Sequence, residues 1–263
     1  IDYAAAFKAR GIQIACAPVG GYGDPAQMDQ YLAEGKTDLF AIARQFLADD
    51  HYYEKVLAGA SPDEIVPCIR CNGCHGHHTC AVNPRLGRQR NLFAPETSPK
   101  KVAVVGGGPA GLIAAITAAQ RGHSVTLYEA GEKLGGQLLA AGTPDYKWPI
   151  REYVDYLLRE LAKTDVTVLT GTAATPELLK ASAYDAIISA VGSAPARPPV
   201  KGAEKAWLAE DVFGKEDQLG KHVVVIGGAD TGRDVSLYLA RAGHQVTMVT
   251  RGQIQLASDM HTE

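Results

Sequence analysis

Cys68, Cys71 and Cys74 are separated by two residues each, and Cys80 follows after five more. Cysteine thiolates are soft ligands, and four at this spacing can converge on one small centre. A tight Cys-x2-Cys-x2-Cys run with a fourth cysteine farther along is an iron–sulfur pattern, so a [4Fe–4S] cluster is the expected occupant. Zinc more commonly draws on two well-separated Cys-x2-4-Cys pairs. His75, His77 and His78 lie in the same loop and keep a mixed-ligand zinc site open. They read as facing solvent or backing the ligands rather than as ligands themselves.

The second chemical feature is Gly106-Gly-Gly-Pro-Ala-Gly111, which follows an apolar strand and opens an alanine-rich helix. Gly106 permits the tight turn, Gly108 puts no side chain between the backbone and a diphosphate, and Gly111 lets helix and strand pack closely. Gly106, Gly108, Ala110 and Gly111 are therefore candidate dinucleotide-binding positions, with the amides of the helix N-terminus facing the diphosphate. Glu129 ends the next strand, where a carboxylate can accept from both ribose hydroxyls. Leu134-Gly-Gly-Gln-Leu138 comes soon after. Its glycines, Gly136 among them, would let a large planar cofactor approach, and Gln137 would hydrogen-bond it; a plain turn is the other reading.

A second glycine turn, Gly227-Gly-Ala-Asp-Thr-Gly232, repeats the pattern. Ala229 stands where close approach of a phosphate would favour glycine. The strand after it ends in Thr250-Arg251-Gly252, without a carboxylate. A nicotinamide nucleotide is expected here, contacted by Gly227 and Gly232. Arg251 reads equally as a partner for the 2′-phosphate of NADPH and as a surface arginine.

These turns need elements to hold them. The chain has 263 residues, 46% of them hydrophobic, and a formal net charge of -3. That is enough apolar material for one large or two ordinary domains, and the charge leaves no footprint for nucleic acid or an anionic membrane. The sequence holds no run of about 18 apolar residues to span a bilayer, and its first residues do not read as a secretion signal. Five cysteines, four of them clustered at uneven spacing, fit a reducing compartment, so a cytoplasmic protein is expected. Cys16, in an apolar run, reads as an inert buried thiol.

Residues 12 to 19 read as a buried strand ending in Gly20-Gly-Tyr-Gly23. Asp24 caps and Pro25 begins a helix striped by Met28, Tyr31 and Leu32, and Leu39 to Ala43 reads as another strand. This is α/β material with strands covered on both faces. Residues 61 to 98 are mostly turn-forming, and Asn91 to Lys100 reads as a linker. From Lys101 the alternation is regular, with strands at 102–105, 124–128, 166–169 and 184–190 and a helix at 109–120. It then restarts with a strand at 222–227, a helix through Ala240 and a strand at 245–249. The first block has too few strands for a closed barrel of about 250 residues, and the last nucleotide unit is short. Both ends therefore suggest a piece of a longer polypeptide.

The signatures run in a fixed order: Gly35-Lys-Thr-Asp-Leu-Phe-Ala-Ile-Ala-Arg44, Pro67-Cys-Ile-Arg-Cys-Asn-Gly-Cys74, Cys80-Ala-Val-Asn-Pro84, Val104-Val-Gly-Gly-Gly-Pro-Ala-Gly-Leu112, Leu134-Gly-Gly-Gln-Leu138 and Ala190-Val-Gly-Ser193. Over essentially its whole length the chain resembles the multidomain flavin oxidoreductases of the 2,4-dienoyl-CoA reductase, enoate reductase and trimethylamine dehydrogenase group, whose front domain is like Old Yellow Enzyme. The resemblance implies the last two β/α units of an FMN-binding TIM barrel at 1–60 and a [4Fe–4S] segment with its linker at 61–98. It implies a Rossmann-like FAD domain at 99–215 and the beginning of an NAD(P)-binding domain at 216–263. It puts Gly20, Gly21, Ala43 and Arg44 on FMN-phosphate loops, with Ala43 where glycine is usual. Cys68, Cys71, Cys74 and Cys80 fall on the cluster ligands, with a shorter gap before Cys80 than in many relatives. Gly106, Gly108, Gly111, Glu129, Gly136 and Gln137 fall on FAD positions.

The activity implied is reduction of an activated C=C bond in an enoate, enone or enoyl-CoA, with electrons passing from NAD(P)H to FAD, the cluster, FMN and substrate. Amine oxidation in the manner of trimethylamine dehydrogenase is one alternative, and a zinc-stabilised nucleotide-binding scaffold without turnover is another. The implied partners are the unsaturated carbonyl substrate and the rest of the polypeptide, or a companion subunit, completing the barrel; a homo-oligomer is open. The family's proton donor lies on early barrel strands outside these residues, so no general acid is assigned.

Overall fold

The computed structural model describes residues 1–87 and 98–252. Residues 91 to 97 of the expected linker lie outside the described residues. The first part carries α1 (Asp2–Ala9), α2 (Pro25–Ala33), α3 (Arg44–Ala48) and α4 (Tyr52–Leu57). α2 begins as its sequence dictates. The Asp24 carboxylate accepts from the amides of Ala26 at 2.9 Å and Gln27 at 3.4 Å, and Pro25 occupies the first turn. Its buried Met28 packs with Tyr52 and Ile65.

The expected strands at 12–19 and 39–43 contract to a single parallel bridge between Val19 and Ala41, with the Ala41 amide donating to the Pro18 carbonyl. A strand buried on both faces takes its hydrogen bonds from neighbours on each side. Here each segment has one neighbour among the described residues, and pairing stops there. Cys16 is accordingly half-buried rather than enclosed.

The cysteine loop contains the single turn α5 (Gly73–Gly76). Then come β1 (Lys101–Val105), α6 (Pro109–Gln120), β2 (Ser124–Tyr128), α7 (Gln137–Ala141), α8 (Trp148–Ala162), β3 (Thr167–Leu169), α9 (Pro176–Ala181) and β4 (Ala186–Ser189). Their strands form a parallel sheet in the order β3-β2-β1-β4, with Val104 in register with Leu127 on one side and Ile188 on the other. The last part carries α10 (Ala209–Val212), β5 (His222–Ile226), α11 (Asp230–Arg241) and β6 (Gln245–Val249), with β5 and β6 paired in parallel. The class is α/β.

One core joins the sheet to the cysteine loop. Leu112 and Ile116 of α6, Leu157 and Leu161 of α8, and Val102, Val104 and Leu127 of the sheet are buried together with Ala48 and Val82. Val66, Cys68, Ile69 and Cys80 pack against the same cluster. α8 goes beyond the sequence reading, although its buried Tyr153, Val154, Leu157 and Leu161 recur at helical spacing and Pro149 suits its first turn.

The glycines at the head of α6 are required sterically. A Cβ at Gly111 would stand 1.8 Å from the Gly106 carbonyl oxygen, and one at Gly106 would stand 2.3 Å from the Ala190 oxygen. Gly111→Ala is expected to cost about 3 kcal/mol through overpacking, and Leu157→Ala about the same through a cavity. Amide hydrogen exchange of β1 and α6 in the intact protein checks both, and native protection in the Gly111 variant would show that the turn can shift at little cost.

Candidate functional site

The first glycine turn is cross-braced by the acid expected to face a ribose. Glu129 accepts from the Gly107 amide at 2.6 Å through one oxygen and from the Gly131 amide at 2.7 Å through the other. Each carboxylate oxygen keeps a further lone pair, so the brace and a ribose contact are compatible. The 134–138 turn folds back on this one. The Gly135 amide donates to the Gly107 carbonyl at 2.8 Å, and a Cβ at Gly136, whose φ is +54°, would stand 2.9 Å from the Gly108 Cα. Gln137 donates its side-chain amide to the Ser193 carbonyl at 2.7 Å. Gly106, Gly108, Ala110, Gly111, Glu129, Gly136 and Gln137 are thus brought together. Gly108 is the open member of the set, since a Cβ there would meet only the Gly136 Cα at 3.9 Å.

The second turn repeats the packing with one exchange. A Cβ at Gly232 would stand 2.0 Å from the Gly227 oxygen, as at Gly111 and Gly106. A Cβ at Gly228 would stand 2.8 Å from the Thr250 hydroxyl, so a hydroxyl occupies the place that Glu129 holds beside Gly107. Ala229 has φ -79° and ψ -178°, nearly the backbone of Gly108 at -74° and 179°, so its methyl brings no backbone strain. Arg251 is exposed just beyond Thr250.

A cleft of about 840 Å³ lies between the N-terminal segment, the cysteine loop and α8. Gly20, Gly21, Ala43 and Arg44 line it together with Cys68, Arg70, Asn72 and His75 of the loop and Trp148 and Glu152 of α8. Arg44 donates from Nη1 to the Asn72 side-chain oxygen at 2.7 Å. Arg70 donates to the Gly21 carbonyl at 3.3 Å, and its guanidinium stacks over the Trp148 ring at 4.7 Å. Burial raises the Glu152 carboxyl above its ordinary range, with Arg70 pulling the other way.

The four cysteines share one loop but not one environment. Cys71 is exposed and the other three are half-buried. Burial pushes the Cys68 thiol up, opposed by the Arg70 backbone hydrogen bond and the Arg44 charge, while Cys80 and Cys71 are close enough to add to the rise. Tyr153 of α8 belongs to the buried core against which Cys80 packs, and burial pushes its hydroxyl up to about 12. Arg70, Asn72 and His78 all have left-handed φ near +50°, so the backbone of the loop turns sharply at these three positions. Among the described residues, no three His, Cys, Asp or Glu side chains are grouped to hold a single metal ion. His75, His77 and His78 are exposed.

The residues that hold the loop escaped the sequence reading. Buried Asp49 accepts from the Val66 amide at 2.9 Å, the His51 amide at 3.1 Å and Lys55 Nζ at 2.7 Å. Gln45, one helical turn earlier, donates to the Val66 carbonyl at 2.7 Å and accepts from the Cys68 amide at 3.3 Å. Asn83 donates to the Leu47 carbonyl at 3.0 Å beyond the last cysteine. The available signal was two polar residues four apart on an otherwise apolar stretch, which buries them on one face.

Residues 100–263 match the family described as pyridine nucleotide-disulphide oxidoreductase. The chain belongs to that family. It is 41% identical over 258 residues to an NADH oxidase of Thermoanaerobacter brockii, covering 90% of this chain and 39% of the relative. It is 36% identical over 238 residues to a cinnamate reductase of Clostridium sporogenes, covering 88% and 36%. The solved structure of 2-naphthoyl-CoA reductase with 2-naphthoyl-CoA superposes with a TM-score of 0.86 at 30% identity, over 96% of this chain and 40% of that one. The chain therefore spans about two-fifths of the length of these relatives, and within the family it falls in the 2,4-dienoyl-CoA reductase and trimethylamine dehydrogenase group. The family is one of oxidoreductases using FAD and a nicotinamide nucleotide. No helix among the described residues is long and apolar enough to cross a membrane.

Asp49→Ala leaves the Val66 amide without its acceptor. Exchange at Val66 and Cys68 is expected to speed up by roughly tenfold, the equivalent of one lost charge-assisted hydrogen bond. Unchanged exchange there would mean that Gln45 alone anchors the loop.

Proposed function

We propose that this chain is part of an NAD(P)H-dependent flavin and iron–sulfur oxidoreductase that reduces a C=C bond conjugated to a carboxylate, ketone or thioester carbonyl. The observation that carries the reading is the shared cleft, in which Gly20, Gly21, Ala43 and Arg44 face the cysteine loop across 840 Å³. The parallel bridge between Val19 and Ala41 suits the closing strands of a TIM barrel whose other strands come from the rest of the polypeptide. The names cinnamate reductase and 2-naphthoyl-CoA reductase both denote reducible bonds conjugated to a carbonyl, which supports the substrate class.

When bound, FAD, FMN and a [4Fe–4S] cluster would supply the two-electron and one-electron chemistry that side chains lack. The residues here fit those groups. Gly108 is open at the head of a 12-residue helix, where amides meet a diphosphate, and Glu129 presents its remaining lone pairs beside it. Arg44 offers a guanidinium to the FMN phosphate, and the Gly20–Gly21 and Ala43 backbone offers close approach. Cys68, Cys71, Cys74 and Cys80 form an all-thiol donor set of the kind a cluster takes. At Gly227 and Gly232 the nicotinamide nucleotide would meet Thr250 and Arg251 rather than a carboxylate, an arrangement that accommodates a 2′-phosphate.

Full-length protein purified without oxygen is expected to lose its flavin absorbance and change its broad cluster band on addition of NADH or NADPH. A bound flavin that stays oxidised with both nucleotides would sink the reading in favour of amine oxidation. Cys71→Ser is expected to lower iron and sulfide content while leaving reduction of FAD by the nicotinamide intact; native metal content would remove Cys71 from the ligands. Glu129→Ala is expected to weaken FAD retention by roughly tenfold, read from the dissociation constant of the released flavin.

A further inference from the structure

Cys71 is flanked by two residues that both reach back to the candidate phosphate loops. Arg70 takes the Gly21 carbonyl at 3.3 Å, and Asn72 takes Arg44 Nη1 at 2.7 Å across 28 residues of sequence. Both have left-handed backbones, with φ of +56° and +53°. Asparagine tolerates that region better than most residues, so at position 72 it supplies an acceptor without added strain. Its carboxamide is neutral. A carboxylate in the same place would hold the guanidinium equally well but cancel the charge that an anion needs.

We propose that Asn72 is a positioning residue for anion recognition: it fixes the Arg44 guanidinium with its charge intact, so that the cysteine loop sets the affinity of the cleft for a phosphomonoester. The inference rests on the reading of Gly20, Gly21, Ala43 and Arg44 as an FMN-phosphate site, and it goes beyond that reading by assigning a role to a residue between two of the cysteines. Arg44 is half-buried and has a long side chain, and holding it in one geometry before the ligand arrives lowers the ordering cost of binding. The Arg70 contacts with Gly21 and Trp148 hold the facing backbone at the other side of the cleft. The loop that carries the cysteines thus also shapes the phosphate end of the cleft.

The test uses full-length protein depleted of flavin but retaining its iron and sulfide, with FMN and riboflavin as probes. Asn72→Gly keeps the left-handed backbone accessible and removes the acceptor. FMN affinity is expected to fall roughly tenfold while riboflavin affinity and metal content stay unchanged, so the FMN-to-riboflavin ratio falls. If the glycine variant loses its metal, Asn72→Asp provides the second reading. It keeps an acceptor of the same shape, and the ratio is expected to fall because the carboxylate neutralises Arg44. An unchanged ratio in the variant that retains metal overturns the proposal, as does an equal loss for both probes. Wild-type protein that takes up no FMN overturns the phosphate-site reading as well, which separates the two failures.

Discussion

The cysteine loop hangs from two buried polar side chains, one on a five-residue helix and one just past its end, and the arrangement of the cleft depends on that attachment. Taking a carboxylate out of water costs several kcal/mol unless it is fully paired. Asp49 meets three donors, and one of them is the Val66 backbone just before the first cysteine of the loop. Gln45 adds bonds to the carbonyl of Val66 and the amide of Cys68. With the entry to the loop fixed in this way, Cys68 and Cys80 can pack on the core of the parallel sheet while Arg70 and Asn72 face the opposite wall of the cleft. Gln45 and Asp49 thus tie the N-terminal segment to the cysteine loop through polar bonds, and the apolar core shared by Ala48, Val82 and α8 joins both to the parallel sheet.

The two glycine turns show how one packing solution accommodates different polar chemistry. Both require a glycine where the helix crosses the preceding turn, because a side chain there would overlap a carbonyl oxygen. What varies is the group at the end of the next strand. Glu129 braces the first turn from below through Gly107 and still has acceptor capacity. Thr250, in the corresponding place, is smaller and uncharged. The two turns therefore share a backbone and differ in the charge placed beside it.

Much of the dinucleotide unit was legible in the sequence. Glycine spacing after an apolar strand reports a steric requirement local to about thirty residues, and the residues at 106–111, 129 and 134–138 lie against one another. The strands at 12–19 and 39–43 were less legible, because an apolar run specifies a buried strand only where neighbours exist to pair with it, and here the pairing reaches a single bridge. The helix at 148–162 carried a readable apolar stripe that marks a buried face without naming what it packs against.

By itself the sequence determined the donor types, the order of the units and the positions where only glycine fits, since these follow from short-range sterics and side-chain chemistry. Only the tertiary structure decided that Arg44 meets Asn72, that Gln45 and Asp49 hold the cysteine loop, and that Tyr153 and Cys80 share one core. Each of these joins residues at least 17 positions apart. Their partners are chosen by which faces the shared core leaves next to each other, and no local spacing encodes that choice.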